Sequence, residues 1–172
     1  MINQIELRSL LPSDEDVLYT LVKENRPQLS QWLDWASMVQ TRDDFAQFFR
    51  YYESQIKQRL MEVQVICYQD QVIGIVEAHG INYSQQSAYL SYWLDGHFQN
   101  KGMMTKGMKQ FLDYLYKNWA MKHFFLVIQC QNIRSIRLAQ KLGFHLEGYA
   151  REFQFEAQFQ PDCYFFHLNY QP

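Results

Sequence analysis

The stretch YLSYWLDGHFQNKGMMTKGM (residues 89–108) joins a strand pattern to a helix pattern through a polar loop that contains glycine. Residues 87–95 are rich in aromatic side chains, which favour strands. From Met104 to Trp119 apolar residues recur at helical spacing and form one apolar stripe. Backbone N–H groups of residues 100–105 would therefore point into the loop and meet the start of the helix. That arrangement binds a pyrophosphate without a metal ion.

Two other kinds of phosphate-binding loop do not fit these residues. A Walker A loop needs lysine and then serine or threonine directly after its second glycine. Gly102 and Gly107 have the required spacing, but Met108 stands in place of the lysine, and Lys109 is followed by Gln110. The Rossmann pattern G-x-G-x-x-G is also absent from the sequence. We therefore expect neither an ATPase nor a dinucleotide-dependent enzyme.

The net charge of −2 hides an uneven distribution. Residues 101–141 contain eight basic side chains and one acidic one, which gives +7, whereas the rest of the chain contains eight basic and seventeen acidic side chains, which gives −9. A basic segment that begins at the loop favours a polyphosphate ligand, although a solvated helix face also explains some of these lysines. No arginine-rich run or nucleic-acid motif accompanies it, so a nucleic-acid partner is not expected. The acidic excess in the rest of the chain favours a cationic second ligand or substrate.

The composition is that of a soluble globular protein. With 172 residues, 48% of them apolar and 20% charged, the chain is long enough for one domain, residues 1–172, with a sizeable core. No apolar run could span a membrane, and Glu6 and Arg8 stand where a signal peptide would be apolar, so we expect a cytoplasmic protein with no membrane partner. Three cysteines without a C-x-x-C pair and five scattered histidines predict neither a disulfide framework nor a metal site.

The order of the strand and helix patterns predicts an α/β (mixed α+β) fold, with a mixed sheet and helices on both faces. Ser13 is the expected N-cap of the first helix, which should end at about Asn25 because Pro27 follows. Gly143 is expected just after the last helix. Helix patterns lie at residues 13–25, 43–60, 104–119 and 132–142. Strand patterns lie at residues 5–10, 61–80 (a hairpin that turns near 70–71), 87–95, 124–130, 144–155 and 163–170.

Four motifs in this order resemble those of a known family. They are Y-W-L-D (92–95), Q-x-K-G-x-x-T (99–105), C-x-N-x-x-S (130–135) and K-L-G-F-x-x-E-G (141–148). The combination resembles the GNAT superfamily of acetyl-CoA-dependent N-acetyltransferases, and more narrowly the Rim-type enzymes that acetylate the amino-terminal serine or alanine of ribosomal proteins. The resemblance implies a mixed, mostly antiparallel seven-stranded sheet, splayed at strands 4 and 5, with helices on both faces. It also implies acetyl-CoA as the co-substrate, without a metal.

The resemblance implies a donor-binding role for most of the motif residues. The residues that would cradle the pyrophosphate of CoA are Gln99, Asn100, Lys101, Gly102, Met103, Met104 and Thr105. Backbone N–H groups near Trp93 and Leu94 would hold the pantetheine arm in the splayed gap and polarise the acetyl carbonyl. Asn132 would bind the same arm, and Ser135 would donate a proton to the departing thiolate. Two plainer interpretations stay open: Asn132 as a helix N-cap, and Ser135 as a polar residue near a helix start.

The group that accepts the proton of the amine is not fixed by the sequence. Where Rim-type enzymes carry a candidate glutamate base, the alignment places Gln154, which cannot accept a proton at neutral pH. Glu152 is the candidate catalytic base. Glu156 shares its face of an extended strand, and Asp162 and Glu77 are further alternatives. A dedicated base is also dispensable, because an α-amino group with a pKa of about 7.7–8.0 is partly neutral at pH 7.

The acceptor is expected to meet the segment ENRPQLSQWLDWASM (24–38), in which Asn25, Trp32 and Trp35 are the candidate binding residues. A helical turn would place the two tryptophans on one face, although packing against the core explains them equally well. The resemblance implies a protein amino terminus as the acceptor, such as that of a ribosomal protein, and a homodimer. An aminoglycoside, polyamine or aminoacyl nucleotide acceptor stays open, as does a non-catalytic acyl-CoA-binding module.

Overall fold

A computed structural model of the chain describes residues 5–151, 154–155, 158–159 and 161–172. The strands are β1 (Ile5–Ser9), β2 (Glu62–Tyr68), β3 (Gln71–Asn82), β4 (Ser87–Leu94), β5 (His123–Gln129), β6 (His145–Ala150), β7 (Gln154–Phe155), β8 (Gln158–Phe159) and β9 (Cys163–Asn169). The helices are α1 (Glu15–Leu29), α2 (Asp34–Met38), α3 (Arg42–Lys57), α4 (Met103–Trp119) and α5 (Ile133–Lys141). Helix α2 and the pair of short strands β7 and β8 were not predicted from the sequence.

The described strands form one large sheet and one small one. Seven strands pair in the order β1-β2-β3-β4-β5-β9-β6, and β7 pairs separately with β8. Every neighbouring pair in the large sheet is antiparallel except β4 and β5, which are parallel. These two strands pair only through residues 87–89 and 123–125 and then separate. The predicted mixed sheet and its splay at strands 4 and 5 are therefore confirmed.

Helices cover both faces of the sheet, as predicted. α4 and α5 pack on one face, where Met108 and Phe111 meet Phe124 of β5. α1 and α3 pack on the other face, where Phe49 of α3 joins a cluster with Val65 of β2. Side chains alternate along a strand, so the even-numbered residues of β4 face α4 and α5 and the odd-numbered ones face the side of α1 and α3. This alternation decides which β4 side chains share a surface.

The start of the first helix differs from the prediction. A short 3-10 turn (Pro12–Asp14) precedes α1, and Asp14 takes the N-cap position that was expected for Ser13. The Asp14 carboxylate is buried. It accepts two hydrogen bonds from the Arg8 guanidinium, both at 2.7 Å, and one from Leu11 N–H at 2.8 Å, and these bonds offset the cost of its burial. A bidentate charged pair of this kind stabilises the helix start more than the single hydrogen bond of a serine cap would.

The end of the first helix also differs from the prediction. α1 continues through Pro27 to Leu29 instead of ending near Asn25. Proline removes one backbone hydrogen bond inside a helix, but Leu29 is buried in the core beneath α1. Burial of that side chain offsets the lost bond, so tertiary packing extends the helix by one turn.

The strand predicted over residues 144–155 is not continuous. β6 ends at Ala150, whereas Gln154 and Phe155 pair with β8 in the separate two-stranded sheet. β9 then returns to the large sheet and lies between β5 and β6. An alternating pattern cannot reveal this change of partner, because both segments have the same local conformation.

Replacing Gly74 with alanine should weaken the β3–β4 pair. A Cβ atom at Gly74 would lie 2.3 Å from the carbonyl oxygen of Trp93 and 2.9 Å from Cα of Leu94. Overpacking typically costs about 1–3 kcal/mol, so the urea midpoint of unfolding should fall by a corresponding amount. Gly148→Ala is the matched control, because no atom of the described residues lies within 4 Å of a Cβ there. Equal midpoints for the two variants would contradict the close approach at Gly74.

Candidate active site

A cleft of about 490 Å³ opens where the pairing of β4 and β5 ends. Four parts of the chain line it: the end of α1 with the turn that follows, the second half of β4, the loop before α4 with the first turn of that helix, and β5 with α5. The lining residues fall within the ranges 28–33, 90–94, 98–105 and 126–141. The volume is within the range of small-molecule sites.

The edge of β4 that borders the cleft carries backbone groups that no neighbouring strand pairs in the described part of the chain. Asp95 N–H donates to the carbonyl of Ile73 in β3 at 2.8 Å. Hydrogen-bonded pairs alternate along an antiparallel ladder, so the N–H of Trp93 also points to β3, whereas those of Tyr92 and Leu94 face the gap. Of the two residues named in the sequence analysis, Leu94 has its N–H in the gap, whereas the N–H of Trp93 points to β3.

Gln99 joins the two sides of the cleft. Its Nε2 donates to the carbonyl of Leu94 at 3.1 Å, and its Oε1 accepts from Nη1 of Arg134 at 2.7 Å. The first bond confirms that backbone groups of Leu94 face away from β3. The two bonds together connect the end of β4 to the start of α5. The Gln99 side chain therefore fixes the loop in which a phosphate-binding role was predicted.

The loop enters α4 through a left-handed turn. Asn100 and Gly102 have φ values of +59° and +75°, and no atom of the described residues lies within 4 Å of a Cβ at Gly102. Lys106 N–H donates the first bond within α4 to the carbonyl of Gly102, so the N–H groups of residues 103–105 have no acceptor inside the helix. Residues 99, 100 and 102–105 border the cleft. Lys101 instead places its Nζ 5.5 Å from the ring centroid of Phe98.

The start of α5 forms the facing wall. Asn132 caps the helix, because its Oδ1 accepts a hydrogen bond from Ser135 N–H at 3.2 Å. Asn132 and Ser135 both border the cleft, so the N-cap interpretation is confirmed and is compatible with a place in the site. Arg134, Arg137 and Lys141, spaced three and four apart, line the same wall. Part of the basic segment seen in the sequence therefore faces the cleft.

The hydroxyl of Tyr92 is a feature that the sequence analysis missed. Tyr92 borders the cleft, and its buried hydroxyl lies near the hydroxyl of Ser135 without reaching good hydrogen-bond geometry. Burial raises the pKa of Tyr92 to about 12, and the weak interaction with Ser135 opposes this rise. A buried hydroxyl that is only weakly bonded is available to a bound ligand. The sequence analysis missed Tyr92 because an aromatic residue within a strand pattern resembles a core residue.

On the opposite face of β4, a serine and a histidine meet. Ser91 borders the cleft, and its hydroxyl lies 3.1 Å from Nε2 of His79 in β3. The His79 ring stacks on Tyr89, with ring centroids 6.0 Å apart, and burial lowers the pKa of His79. Neither residue was a candidate from the sequence, because the β3–β4 pairing brings them together.

Glu77, an alternative base in the sequence analysis, lies behind the cleft wall. It shares a face of β3 with His79 and is buried under α3, where Tyr52 donates a hydrogen bond to its carboxylate. Burial raises the pKa of Glu77 to about 7, and the hydrogen bond from Tyr52 opposes this more weakly. The carboxylate is therefore directed to α3 and not to the cleft.

The three candidate acceptor residues occupy different surroundings. Trp32 lies in the turn before α2 and borders the cleft. Trp35 lies in α2 and stacks on Phe48 of α3, with ring centroids 4.6 Å apart. Asn25 is buried, where its Oδ1 accepts from Gly96 N–H and its Nδ2 donates to a carbonyl one turn earlier, both at 2.9 Å. The expectation that both indoles share a helix face is wrong, because α2 begins after Trp32.

The prediction for Glu152 falls outside the described residues, as does that for Glu156. Asp162 accepts a hydrogen bond from the hydroxyl of Tyr149.

Within the described ranges, no group of three histidine, cysteine, aspartate or glutamate side chains is placed to hold a metal ion. In the same part of the chain, no helix combines the length and the apolar character needed to cross a membrane. The base predicted at Glu152 stays a prediction.

A comparison with protein families decides the class of this protein. A family model described as an acetyltransferase (GNAT) domain matches residues 4–145. The chain belongs to the GNAT acetyltransferase family. It is therefore an N-acetyltransferase, and the resemblance found in the four sequence motifs is confirmed.

Three known proteins illustrate the relatives of this GNAT chain. A ribosomal-protein-serine acetyltransferase of Escherichia coli strain K12 is 24% identical over 160 residues, which cover 93% of this chain and 87% of that protein. A solved structure of a RimL ribosomal alpha-N-protein acetyltransferase in complex with coenzyme A has a TM-score of 0.89 at 22% identity, covering 97% and 95% of the two chains. A spermidine N-acetyltransferase of Vibrio cholerae, in complex with CoA and spermine, has a TM-score of 0.81 at 24% identity and 96% coverage of each chain.

Glu77→Gln should reduce the dependence of stability on pH. The pKa of Glu77 rises from 4.5 to about 7 on folding. A carboxyl group with a raised pKa stabilises the fold below its unfolded pKa and loses that contribution as the pH rises through its folded pKa. Between pH 4.5 and 7.5 the free energy of unfolding should fall by on the order of 3 kcal/mol more in the wild type than in the variant.

Urea unfolding at the two pH values measures this difference. Glu53→Gln, at an exposed position of the same helix as Tyr52, is the control and should behave like the wild type. An unchanged pH dependence in Glu77→Gln would show that the Glu77 carboxyl stays ionised in its buried position.

Proposed function

We propose that the chain transfers an acetyl group from acetyl-CoA to the α-amino group of a protein amino terminus, by direct attack in a ternary complex. The observation that carries the proposal is the gap between β4 and β5, into which the N–H groups of Tyr92 and Leu94 point. An extended ligand with amide groups can complete such an edge as an added strand would. The pantetheine arm of acetyl-CoA has that chemistry.

The start of α4 supports a pyrophosphate at the end of the same gap. The N–H groups of residues 103–105 lack helical acceptors, and the open space at Gly102 lets a phosphate approach the backbone. Anions bind at such helix starts because the N–H groups and the helix dipole act together. Arg137 and Lys141, on the α5 wall, add positive charge for the phosphate groups.

Two hydroxyl groups support a proton-donating role beside the thioester. When the amine attacks the acetyl carbon, the C–N bond forms, the C–S bond breaks and the sulfur leaves as a thiolate. In this proposal Ser135 donates a proton to that sulfur. Tyr92 acts as a second donor, because its pKa of about 12 keeps the phenol protonated at neutral pH. Leu94 N–H stabilises the charge that develops on the acetyl oxygen.

The acceptor side supports an amine that reaches the thioester past an aromatic side chain. Trp32 borders the cleft, and an indole ring can form the wall of a peptide or amine site. The E. coli relative is named for a ribosomal-protein serine, which favours a protein amino terminus. The Vibrio relative binds spermine, which makes a small polyamine the second candidate. The two acceptors differ in size and in amine pKa, so an assay separates them.

The purified protein should release CoA when it is mixed with acetyl-CoA and peptides that begin with serine or alanine. A thiol reagent measures the release, and mass spectrometry locates the added acetyl group. We expect kcat/KM for such peptides to exceed that for spermidine by at least tenfold, whereas the reverse order would assign a polyamine acceptor. If acetyl-CoA bound but no peptide or amine were acetylated, the proposed function would be wrong.

Ser135→Ala and Tyr92→Phe should lower kcat and leave acetyl-CoA affinity nearly unchanged. General acid catalysis typically contributes about 10²–10⁴-fold, so we expect the serine variant to lose about 10²-fold and the tyrosine variant less. The double variant should lose more than Ser135→Ala, since Tyr92 can still protonate the sulfur when only the serine is removed. Tyr51→Phe, at an exposed position of α3, is the control. A loss of affinity with unchanged kcat would make both hydroxyls binding groups instead.

A further inference from the structure

We propose that Ser91 and His79 form a proton relay that takes a proton from the acceptor nitrogen as it attacks the acetyl carbon. This inference rests on the proposed function and assigns the base that the sequence left open. Ser91 is the group that would touch the amine, whereas His79 acts through Ser91. The relay lies on the face of β4 opposite to Tyr92, so proton removal and proton donation occur on different sides of the strand.

The geometry provides a connected path from the cleft to the histidine. Ser91 borders the cleft on the odd-numbered face of β4, the side of α1 and α3. Its Oγ lies 3.1 Å from Nε2 of His79, which is within hydrogen-bond distance. His79 is half-buried and is held by stacking on Tyr89, whose ring also contacts Phe125 of β5 at a centroid distance of 5.3 Å. A stacked ring keeps Nε2 directed at Ser91.

The proton transfer balances without any further reagent. The neutral amine attacks the acetyl carbon with its lone pair, and its nitrogen becomes cationic and strongly acidic as the C–N bond forms. The nitrogen gives a proton to Oγ of Ser91, while the hydroxyl proton of Ser91 passes to Nε2 of a His79 that carries its own proton on Nδ1. The products are an amide, an unchanged serine and an imidazolium, which returns its proton to water after each turnover.

The surroundings of His79 favour the neutral ring that this step needs. Burial lowers the pKa of His79, so the ring is neutral at pH 7 and can accept a proton. The titratable groups that face it are Tyr89 of β4 and Glu77 on the same face of β3. Tyr52 of α3 donates its hydrogen bond to Glu77. Burial also makes His79 a weak base, and a weak base suffices because a nitrogen that attacks an acetyl carbon becomes strongly acidic.

The size of the expected effect follows from the loss of general base catalysis. Proton transfer to a positioned side chain typically contributes about 10²–10⁴-fold, so loss of the relay should lower kcat/KM by about 10²-fold. The pH dependence gives a second signature. The wild type needs both a neutral amine and a neutral His79, so log kcat/KM should fall with a slope of two below the pKa of His79. Without the relay only the neutral amine is needed, and the slope should be one.

The test compares pH profiles of kcat/KM for the full-length wild type, Ser91→Ala and His79→Gln. Glutamine keeps a hydrogen bond to Ser91 but cannot accept a proton. Both variants should show the same deficit at pH 7, lack the steeper acidic limb of the wild type, and combine without further loss. Ser87→Ala is the matched control, because Ser87 lies on the same face of β4 but outside the cleft lining. No deficit at pH 7, or an acidic limb as steep in the variants as in the wild type, would overturn the relay.

Histidine NMR adds a readout that does not depend on turnover. The His79 signal, identified by its absence in His79→Gln, should remain that of a neutral ring at pH 7 and should shift in Ser91→Ala. A protonated His79 at pH 7 would overturn the proposal. Failure of the proposed function gives a different result, because the wild type would then bind acetyl-CoA but acetylate no amine. In that case the relay proposal would be wrong as well.

Discussion

The separation of β4 from β5 after three paired residues is the constraint on which the site depends. Each strand is held on its other side, β4 by β3 and β5 by β9. The backbone groups that face the gap would be bonded in a continuous sheet, and buried groups of this kind need partners. Gln99 supplies one for the carbonyl of Leu94. The N–H groups of Tyr92 and Leu94 are left for an extended ligand.

β4 also separates the two proton transfers that acetyl transfer to an amine requires. Because side chains alternate along a strand, Tyr92 faces α5 and Ser135, whereas Ser91 faces His79. In the proposed reaction the sulfur gains its proton on the first side and the amine loses its proton on the second. A single strand thus keeps the acid and the base apart, and their pKa values are shifted by burial in opposite directions.

Much of this arrangement was predictable because it is local. The aromatic strand pattern, the glycine at position 102, the apolar stripe of α4 and the cap at Asn132 each depend on residues within one or two turns of each other. The hydrogen bond between His79 and Ser91 was not predictable in this way, since it needs the register of β3 against β4. The choice between acceptor contact and core packing for Trp35 could not be made from the sequence for a related reason: its stacking on Phe48 depends on how α2 meets α3.

The sequence by itself determined the family, the order of the elements and the loop that begins α4, because four motifs and short-range backbone preferences specify them. The tertiary structure decided which N–H groups face the gap, that Glu77 lies behind the wall, and that Ser91 has a histidine beside it. These outcomes depend on strand register and on burial, which arise only when distant segments pack together. The stretch at residues 89–108 therefore predicts where the donor binds, while its pairing with β3 sets the chemistry around it.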